Sequence, residues 1–100
     1  MFATVRRYTD LPEPVALGLL AVADDLGTVL RSAPGFADCH LVHTREGVLV
    51  VLTGADEPSL VECGRRFVAW AGAHVAGFAD TAQPDLWTGD ATAIEPHPGG

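Results

Sequence analysis

The sequence predicts an α+β fold in which four strands form one antiparallel sheet and helices pack against it. Three observations predict this fold. The length of 100 residues suits a single domain, and a hydrophobic fraction of 48% supplies enough apolar surface for a core. Along the chain, strand-like and helix-like patterns follow one another as strand, helix, strand, strand, helix, strand.

The first strand is predicted at residues 2–8, where threonine, valine and aromatic side chains are typical of β-structure. The first helix is predicted over residues 15–30, because apolar side chains recur there at spacings of three and four. Pro14 precedes this helix at a position where a missing N–H costs nothing, and Pro34 and Gly35 end it.

A hairpin is predicted from two strands, at residues 36–44 and 48–53. The turn between them ends in Gly47, where glycine suits a backbone with positive φ. Residues 48–52 are all apolar, which predicts a strand that is buried on both faces.

The second helix is predicted from its cap at Asp56 to about Gly77, and the helix dipole favours the acidic residues in its first turn. The last strand is predicted over residues 85–94. One domain at residues 1–95 and a flexible tail at residues 96–100 complete the chain.

This order of elements is the ferredoxin-like, or split βαβ, arrangement, in which both helices cover one face of a four-stranded antiparallel sheet. The other face is then bare, and the apolar strand at residues 48–52 needs a cover on that side. A second copy of the sheet is the simplest cover, so the sequence predicts a homodimer that forms an α/β barrel. The alternative is a monomer in which one strand is apolar on its outer face.

Charge and composition exclude several function classes. Thirteen acidic residues against six arginines give a net charge of −7, which argues against nucleic acid or a membrane surface as a partner. The chain has no lysine, and neither Ser32 nor Ser59 lies in a nucleophile motif. A lysine Schiff base, a P-loop and a serine nucleophile elbow are therefore excluded.

Cysteine usage predicts the compartment of the protein, and arginine usage predicts the kind of genome that encodes it. Cys39 and Cys63 lack a CxxC pattern and are predicted to be free thiols in a reducing cytoplasm. No export signal or membrane-spanning run is evident. Arginine without lysine, beside abundant alanine, glycine and valine, is typical of a GC-rich bacterial gene.

Segments 1–8, 31–36, 42–47 and 87–91, together with Trp70, resemble the dimeric α/β-barrel proteins of the antibiotic biosynthesis monooxygenase group. The most specific marks are Pro-Gly-Phe before the second strand, the tryptophan late in the second helix and the Thr-Gly-acid sequence of the last strand. The resemblance covers nearly the whole chain. The group includes cofactor-free oxygenases of aromatic polyketides, haem-degrading enzymes, lactone isomerases and proteins without known activity.

The resemblance implies cofactor-independent oxidation or cyclisation of an aromatic polyketide-like substrate, in which a phenol or enol loses a proton and its anion reacts with dioxygen. Such a site needs a dry pocket, a base and donors that stabilise the anion, and it needs no cofactor. A metal site is not predicted either. His40 and His43 lie three apart on a strand and therefore face opposite sides of the sheet.

The candidate catalytic residues are His74, Trp70 and Arg66. Trp70 and His74 are four apart on the second helix and are therefore neighbours, which predicts one wall of a cavity between this helix and the sheet. His74 would act as the base, and Trp70 would stack on the substrate and donate its indole N–H. Either Arg66 or Arg6 would stabilise the anion. The alternative is a core tryptophan beside a half-buried histidine, with both arginines at a sheet edge or dimer rim.

The candidate substrate-binding residues are Arg6, Tyr8, His40, Phe67 and Trp87. Arg6 and Tyr8 share one face of the first strand, and Phe67 lies at the centre of the inward face of the second helix. His40 is either a pocket residue or an edge or interface histidine. Trp87 stands beside small residues on the last strand, which favours dimer packing first and pocket lining second.

One departure from the group leaves a second function open. In the oxygenases that the chain resembles, an asparagine stands one turn before the tryptophan, and the matching position here is Arg66. The haem-degrading members also use an asparagine, and this chain has none. The difference argues against haem degradation and favours a non-catalytic ligand-binding or accessory barrel. The pair of Trp70 and His74 favours the enzyme.

Overall fold

The order of secondary-structure elements confirms the predicted alternation, with one helix more than expected. The structure, a computed structural model, describes residues 1–81 and 83–92. A 3₁₀ turn at Phe78–Asp80 precedes the last strand. The main elements in chain order are β1 (Phe2–Thr9), α1 (Glu13–Ala21), α2 (Ala23–Arg31), β2 (Phe36–His43), β3 (Gly47–Gly54), α3 (Glu57–His74) and β4 (Asp85–Asp90).

The four strands form one antiparallel sheet in the order β2-β3-β1-β4. β1 is central, and its Arg6 pairs with Val50 of β3 on one side and with Leu86 of β4 on the other. The helices pack against one face of this sheet. This topology is the ferredoxin-like arrangement predicted from the sequence.

The first helical stretch is two helices rather than the single helix predicted. Val22, with φ −106° and ψ 15°, ends α1 and caps α2. The break is hidden in the sequence because Leu19, Leu26 and Leu30 keep their helical spacing across it and are all buried. Acidic residues in the first turn of α2, which the helix dipole favours, are the sequence signal of the new start.

The predicted end of the last strand is also wrong. β4 ends at Asp90, which pairs with Phe2 at the start of β1. Ala91 still donates a backbone hydrogen bond to Met1 O at 2.7 Å, but residues 91 and 92 are not in a strand, and residues 93 and 94 lie outside the described residues. The predicted domain boundary at residue 95 and the predicted tail, which includes His97, lie outside the described residues.

The core lies between the helices and the sheet face that carries the even-numbered residues of β1 and β3. Val48, Val50 and Leu52 are 0% exposed. Tyr8 packs with two buried phenylalanines, at ring-centroid distances of 6.4 Å from Phe67 and 5.4 Å from Phe78. Asp56 caps α3 as predicted, since its Oδ1 accepts a hydrogen bond from Ser59 N at 2.9 Å. No helix among the described residues is long and apolar enough to cross a membrane.

The other sheet face, called the open face below, is not covered by any described part of this chain. Arg7 forms an ion pair with Asp85 at 2.7 Å, and its guanidinium carbon lies 5.3 Å from the ring centroid of Trp87. Trp87 is half exposed. The apolar residues of the open face, placed there by strand register, are Val5, Val42, Leu49, Val51 and Trp87.

Gly47 is needed for a different reason from the one predicted. Among the described glycines, positive φ occurs at Gly35 and Gly77 and not at Gly47. A Cβ atom at Gly47 would collide with the carbonyl oxygen of Tyr8. The close approach of β1 and β3 therefore requires glycine here.

Gly47→Ala is expected to lower the free energy of unfolding by about 1–3 kcal/mol, because the hairpin must shift away from β1 to admit the methyl group. Gly27→Ala in α2 is the control, since its Cβ atom would meet only the flexible end of Arg31 at 3.5 Å. Alanine there should stabilise the protein by about 0.5–1 kcal/mol. Urea unfolding followed by circular dichroism measures both. Equal effects of the two substitutions would contradict the close-approach explanation.

Candidate functional site

Arg6 lies in the middle of the central strand, with its side chain between the sheet and α3. Strand alternation directs it to the helix-covered face, together with Thr4 and Tyr8. Gly64 of α3 lies against the guanidinium, and a Cβ atom at Gly64 would collide with Arg6 Nη2. The absence of a side chain at Gly64 thus creates the space that holds the cation.

The guanidinium of Arg6 is only partly satisfied. Its Nε is buried and has no hydrogen-bond partner in the part of the chain that the structure describes. None of the ion pairs formed by residues 1–81 and 83–92 includes Arg6. A buried cationic donor without a partner carries a desolvation cost that a bound anion would offset.

A cavity of about 200 Å³ opens beside Arg6. Its polar side chains come from β1 and from the segment between α3 and β4, and its apolar walls come from α3 and the 3₁₀ turn. The lining residues are Arg6, Tyr8, Val68, Gly72, Phe78, Ala79, Thr81, Gln83 and Pro84. We call this space the first cavity.

A second cavity of about 180 Å³ shares Arg6 and extends toward the start of α3. Its other lining residues are Thr4, Glu57, Leu60, Val61, Leu86 and Thr88. The two cavities together are called the Arg6 cleft. Two small, mainly apolar spaces that share one cation have the character of a small-ligand site.

Tyr8 lines the first cavity beside Arg6. Burial raises the pKa of Tyr8, and the positive charge of Arg6 offsets part of this rise. The hydroxyl therefore stays protonated at neutral pH and can donate a hydrogen bond. Arg6 and Tyr8 are the two predicted substrate-binding residues that the structure brings together in one cavity.

Trp70 and His74 lie on a different flank of α3. Their rings are stacked, with centroids 4.4 Å apart. His74 is exposed, and its Nδ1 lies 2.9 Å from Trp70 O. Because a carbonyl oxygen can only accept, Nδ1 carries the hydrogen, which leaves Nε2 as the basic nitrogen of a neutral ring. Neither residue lines either cavity of the Arg6 cleft.

Arg66 belongs to the same row of α3 as Trp70 and His74. Its Nε donates to Glu62 Oε1 at 2.9 Å, and its Nη1 donates to Ser32 Oγ at 3.2 Å, just beyond the end of α2. This row therefore turns toward α2, while the flank with Gly64 turns toward the Arg6 cleft. Helical spacing predicted the inward face of α3 correctly but could not show which flank borders a cavity.

The remaining predicted substrate-binding residues are dispersed. Phe67 is fully buried behind Tyr8 and meets Phe78 edge-on. Trp87 lies on the open face. His40 is exposed on the edge strand β2, where it lines a groove of about 550 Å³ between α2 and β2.

The groove at His40 is larger than either cavity of the Arg6 cleft, but its charged side chains would attract a ligand more weakly than Arg6 does. Its charged side chains, Asp24, Asp25 and Arg31, are all exposed, so water screens them. His40 and His43 occupy alternate faces of β2 by register. Among the described residues, no group of three or more His, Cys, Asp and Glu side chains is arranged to hold a metal ion.

The two thiols are poor nucleophiles in this fold. Burial raises the pKa of Cys39 to about 11, and the charge of Asp38 and that of Cys63 once it is deprotonated add to the rise. Burial also raises the pKa of Cys63, which is 0% exposed. Both thiols are therefore protonated at neutral pH.

Comparison with known proteins gives likeness at the level of the fold. No family model matches the sequence, and no curated protein matches it significantly. The chain is similar to SnoaB, a cofactor-independent oxygenase from Streptomyces nogalater, with 16% identity over 96% of this chain and 97% of that chain and a TM-score of 0.68.

Two further solved structures have the same fold. One is a monooxygenase from the gene ActVA-Orf6 of Streptomyces coelicolor in complex with the ligand Nanaomycin D, with 14% identity, coverage of 96% and 91%, and a TM-score of 0.62. The other is Rv0793 from Mycobacterium tuberculosis, with 15% identity, coverage of 95% and 98%, and a TM-score of 0.61. The fold expected from the resemblance to the antibiotic biosynthesis monooxygenase group is thus confirmed.

The ion pairs of Glu62 predict a pH effect on stability. Hydrogen bonds from Arg65 and Arg66 lower the pKa of Glu62 to about 2. Because this pKa lies below the unfolded value of about 4.3, the stabilisation is present above pH 4.3 and is lost as the pH falls through about 2. At neutral pH the free energy of unfolding of wild type should exceed that of Glu62→Gln. This difference should disappear as the pH falls from about 4.3 to about 2.

Urea unfolding at a series of pH values measures this gap. Glu46→Gln, in the exposed turn between β2 and β3, is the control, because Glu46 takes part in none of the described ion pairs. A gap between wild type and Glu62→Gln that stays constant from pH 5 to pH 2 would show that the carboxylate charge does not stabilise this fold.

Proposed function

We propose that this protein catalyses cofactor-independent oxidation or cyclisation of an aromatic polyketide-like substrate bound in the Arg6 cleft. The observation that carries the proposal is the buried Nε of Arg6, which has no hydrogen-bond partner among the described residues and lies beside a mainly apolar cavity. The fold supports it, since SnoaB is a cofactor-independent oxygenase of the same fold.

The cleft suits a reaction in which the substrate itself supplies the electrons that reduce dioxygen. A phenol or enol loses a proton, and the resulting anion transfers electrons to dioxygen. Arg6 would stabilise the anion, Tyr8 would donate a hydrogen bond to it, and the apolar wall formed by α3 would exclude water. In a site of low dielectric constant, these interactions are stronger than the same interactions in water.

Base catalysis by His74, with Trp70 and Arg66 beside it, stays a prediction. The free Nε2 of His74 has the right chemistry for a base, but His74 is not among the described lining residues of the Arg6 cleft, which favours Arg6 and Tyr8 as the residues that contact the substrate. Activity measurements on variants of each group separate the two assignments.

A specific observation favours a second function, that of a non-catalytic ligand-binding or accessory protein. The described lining of the first cavity contains no histidine or carboxylate that could remove a proton from a ligand. A protein of this kind would bind the same aromatic molecules without consuming dioxygen.

We also propose that the open face of the sheet packs against the same face of a second copy. Leu49 and Val51 are only half-buried in the single chain, whereas the alternate residues of β3 are fully buried. Trp87 adds a large ring to the same face, where dimer packing would cover it.

Oxygen consumption tests the proposed activity. Wild-type protein with an aromatic 1,3-diketone that is an enolate near neutral pH should consume dioxygen faster than the substrate alone, and EDTA should not change the rate. Arg6→Gln should lower kcat/KM by about 10²-fold, as expected for loss of a donor to a developing anion. A larger loss with His74→Ala than with Arg6→Gln would assign catalysis to the His74 row. Tight binding without oxygen uptake would favour the accessory protein.

Light scattering tests the dimer. Wild type should have twice the chain mass of 10.5 kDa. Leu49→Glu, in the middle of the open face, should give monomers, because a charge buried between two sheets is strongly disfavoured. Leu17→Glu is the matched control, since Leu17 is 50% exposed on α1. A wild-type monomer at micromolar concentration, or dissociation by Leu17→Glu alone, would rule out this interface.

A further inference from the structure

The described lining of the first cavity includes a cation but no base. Among its described lining residues, none is a histidine, aspartate, glutamate or cysteine. Tyr8 is protonated at neutral pH and therefore acts as a donor. The described lining can stabilise a negative charge, but it offers no group that could create one by accepting a proton.

The groups around Arg6 direct an anion to this cavity. The neighbouring strands present Val50 and Leu86 opposite Arg6, and α3 presents Gly64. The acidic residue of the cleft is Glu57, which lines the second cavity. Glu57 is exposed, so water weakens its repulsion of an anion, but the described lining of the first cavity has no acidic residue at all and is therefore the more favourable location.

We propose that the cleft selects molecules that are already ionised in water near neutral pH, namely acidic phenols and the enols of hydroxyquinones and 1,3-dicarbonyl compounds. The anionic oxygen binds at Arg6, and the Tyr8 hydroxyl donates to it. A volume of about 200 Å³ suits one or two fused rings. This substrate class rests on the proposed function, because both use the same cleft.

Gly64 is the specificity-determining residue in this account. It touches no ligand itself, but it allows the guanidinium to lie under α3. A methyl group at this position would displace Arg6 Nη2, and the anionic oxygen would lose its partner while the cavity walls stayed in place.

Two matched probes test the proposal directly. 2-Hydroxy-1,4-naphthoquinone is an enolate at neutral pH, and 2-methoxy-1,4-naphthoquinone has the same rings without an ionisable group. Wild-type protein should bind the enolate at least tenfold more tightly in calorimetry. Absorbance titration should show the pKa of the bound hydroxyquinone lowered by at least about one unit, which is the same tenfold preference.

Variants identify the source of the selectivity. Arg6→Gln and Gly64→Ala should both bind the two quinones equally, whereas Arg6→Lys should keep part of the preference because it keeps the charge. Arg45→Gln, in the exposed hairpin turn, should behave as wild type. Circular dichroism confirms that each variant is folded.

The outcomes separate this proposal from the proposed function. Equal binding of the two quinones by wild type would overturn the anion selectivity, even if the protein consumes dioxygen. Selectivity that survives both Arg6→Gln and Gly64→Ala would overturn the assignment to Arg6. Enolate-selective binding without oxygen consumption would support the selectivity and refute catalysis.

Discussion

The central position of β1 is the constraint on which the rest of the structure depends. A strand paired on both sides cannot move without breaking two ladders, so its side chains occupy fixed positions beneath α3. Arg6 is therefore held under the helix, and only a residue without a side chain on α3 leaves room for it. Tyr8, near the end of the same strand, packs with Phe67 and Phe78, and these contacts also hold the strand in place.

Much of the fold could be predicted because its determinants are local. Alternation on β1 and β3, the cap at Asp56 and the apolar spacing of α3 are each readable within a few residues. The break at Val22 could not be predicted, because a one-residue change of direction leaves the apolar spacing intact. The role of Gly47 was missed because it depends on the backbone of Tyr8, which is distant in sequence.

The candidate site was predictable only in part for the same reason. Strand alternation showed that Arg6 and Tyr8 share a face, which the structure confirms. A cavity, however, is formed by what neighbouring elements leave empty. Gly72 lines the first cavity and Gly64 leaves room for Arg6 on one flank of α3, whereas Trp70 and Arg66 occupy the other flank. A glycine carries no signal of this in a helical pattern. A glycine on a helix, opposite an inward-facing arginine on a strand, is the sequence pattern that would indicate such a cavity.

The glycine at position 64 also sets a limit on engineering. Glycine inside a helix costs up to about 1 kcal/mol relative to alanine, and the atom that a methyl group would meet is the movable end of a long side chain. Laboratory evolution for heat resistance would therefore tend to enrich alanine there. The resulting proteins would be more stable to heat but would no longer bind anionic ligands selectively. Thermostability and ligand recognition therefore oppose one another at this single residue.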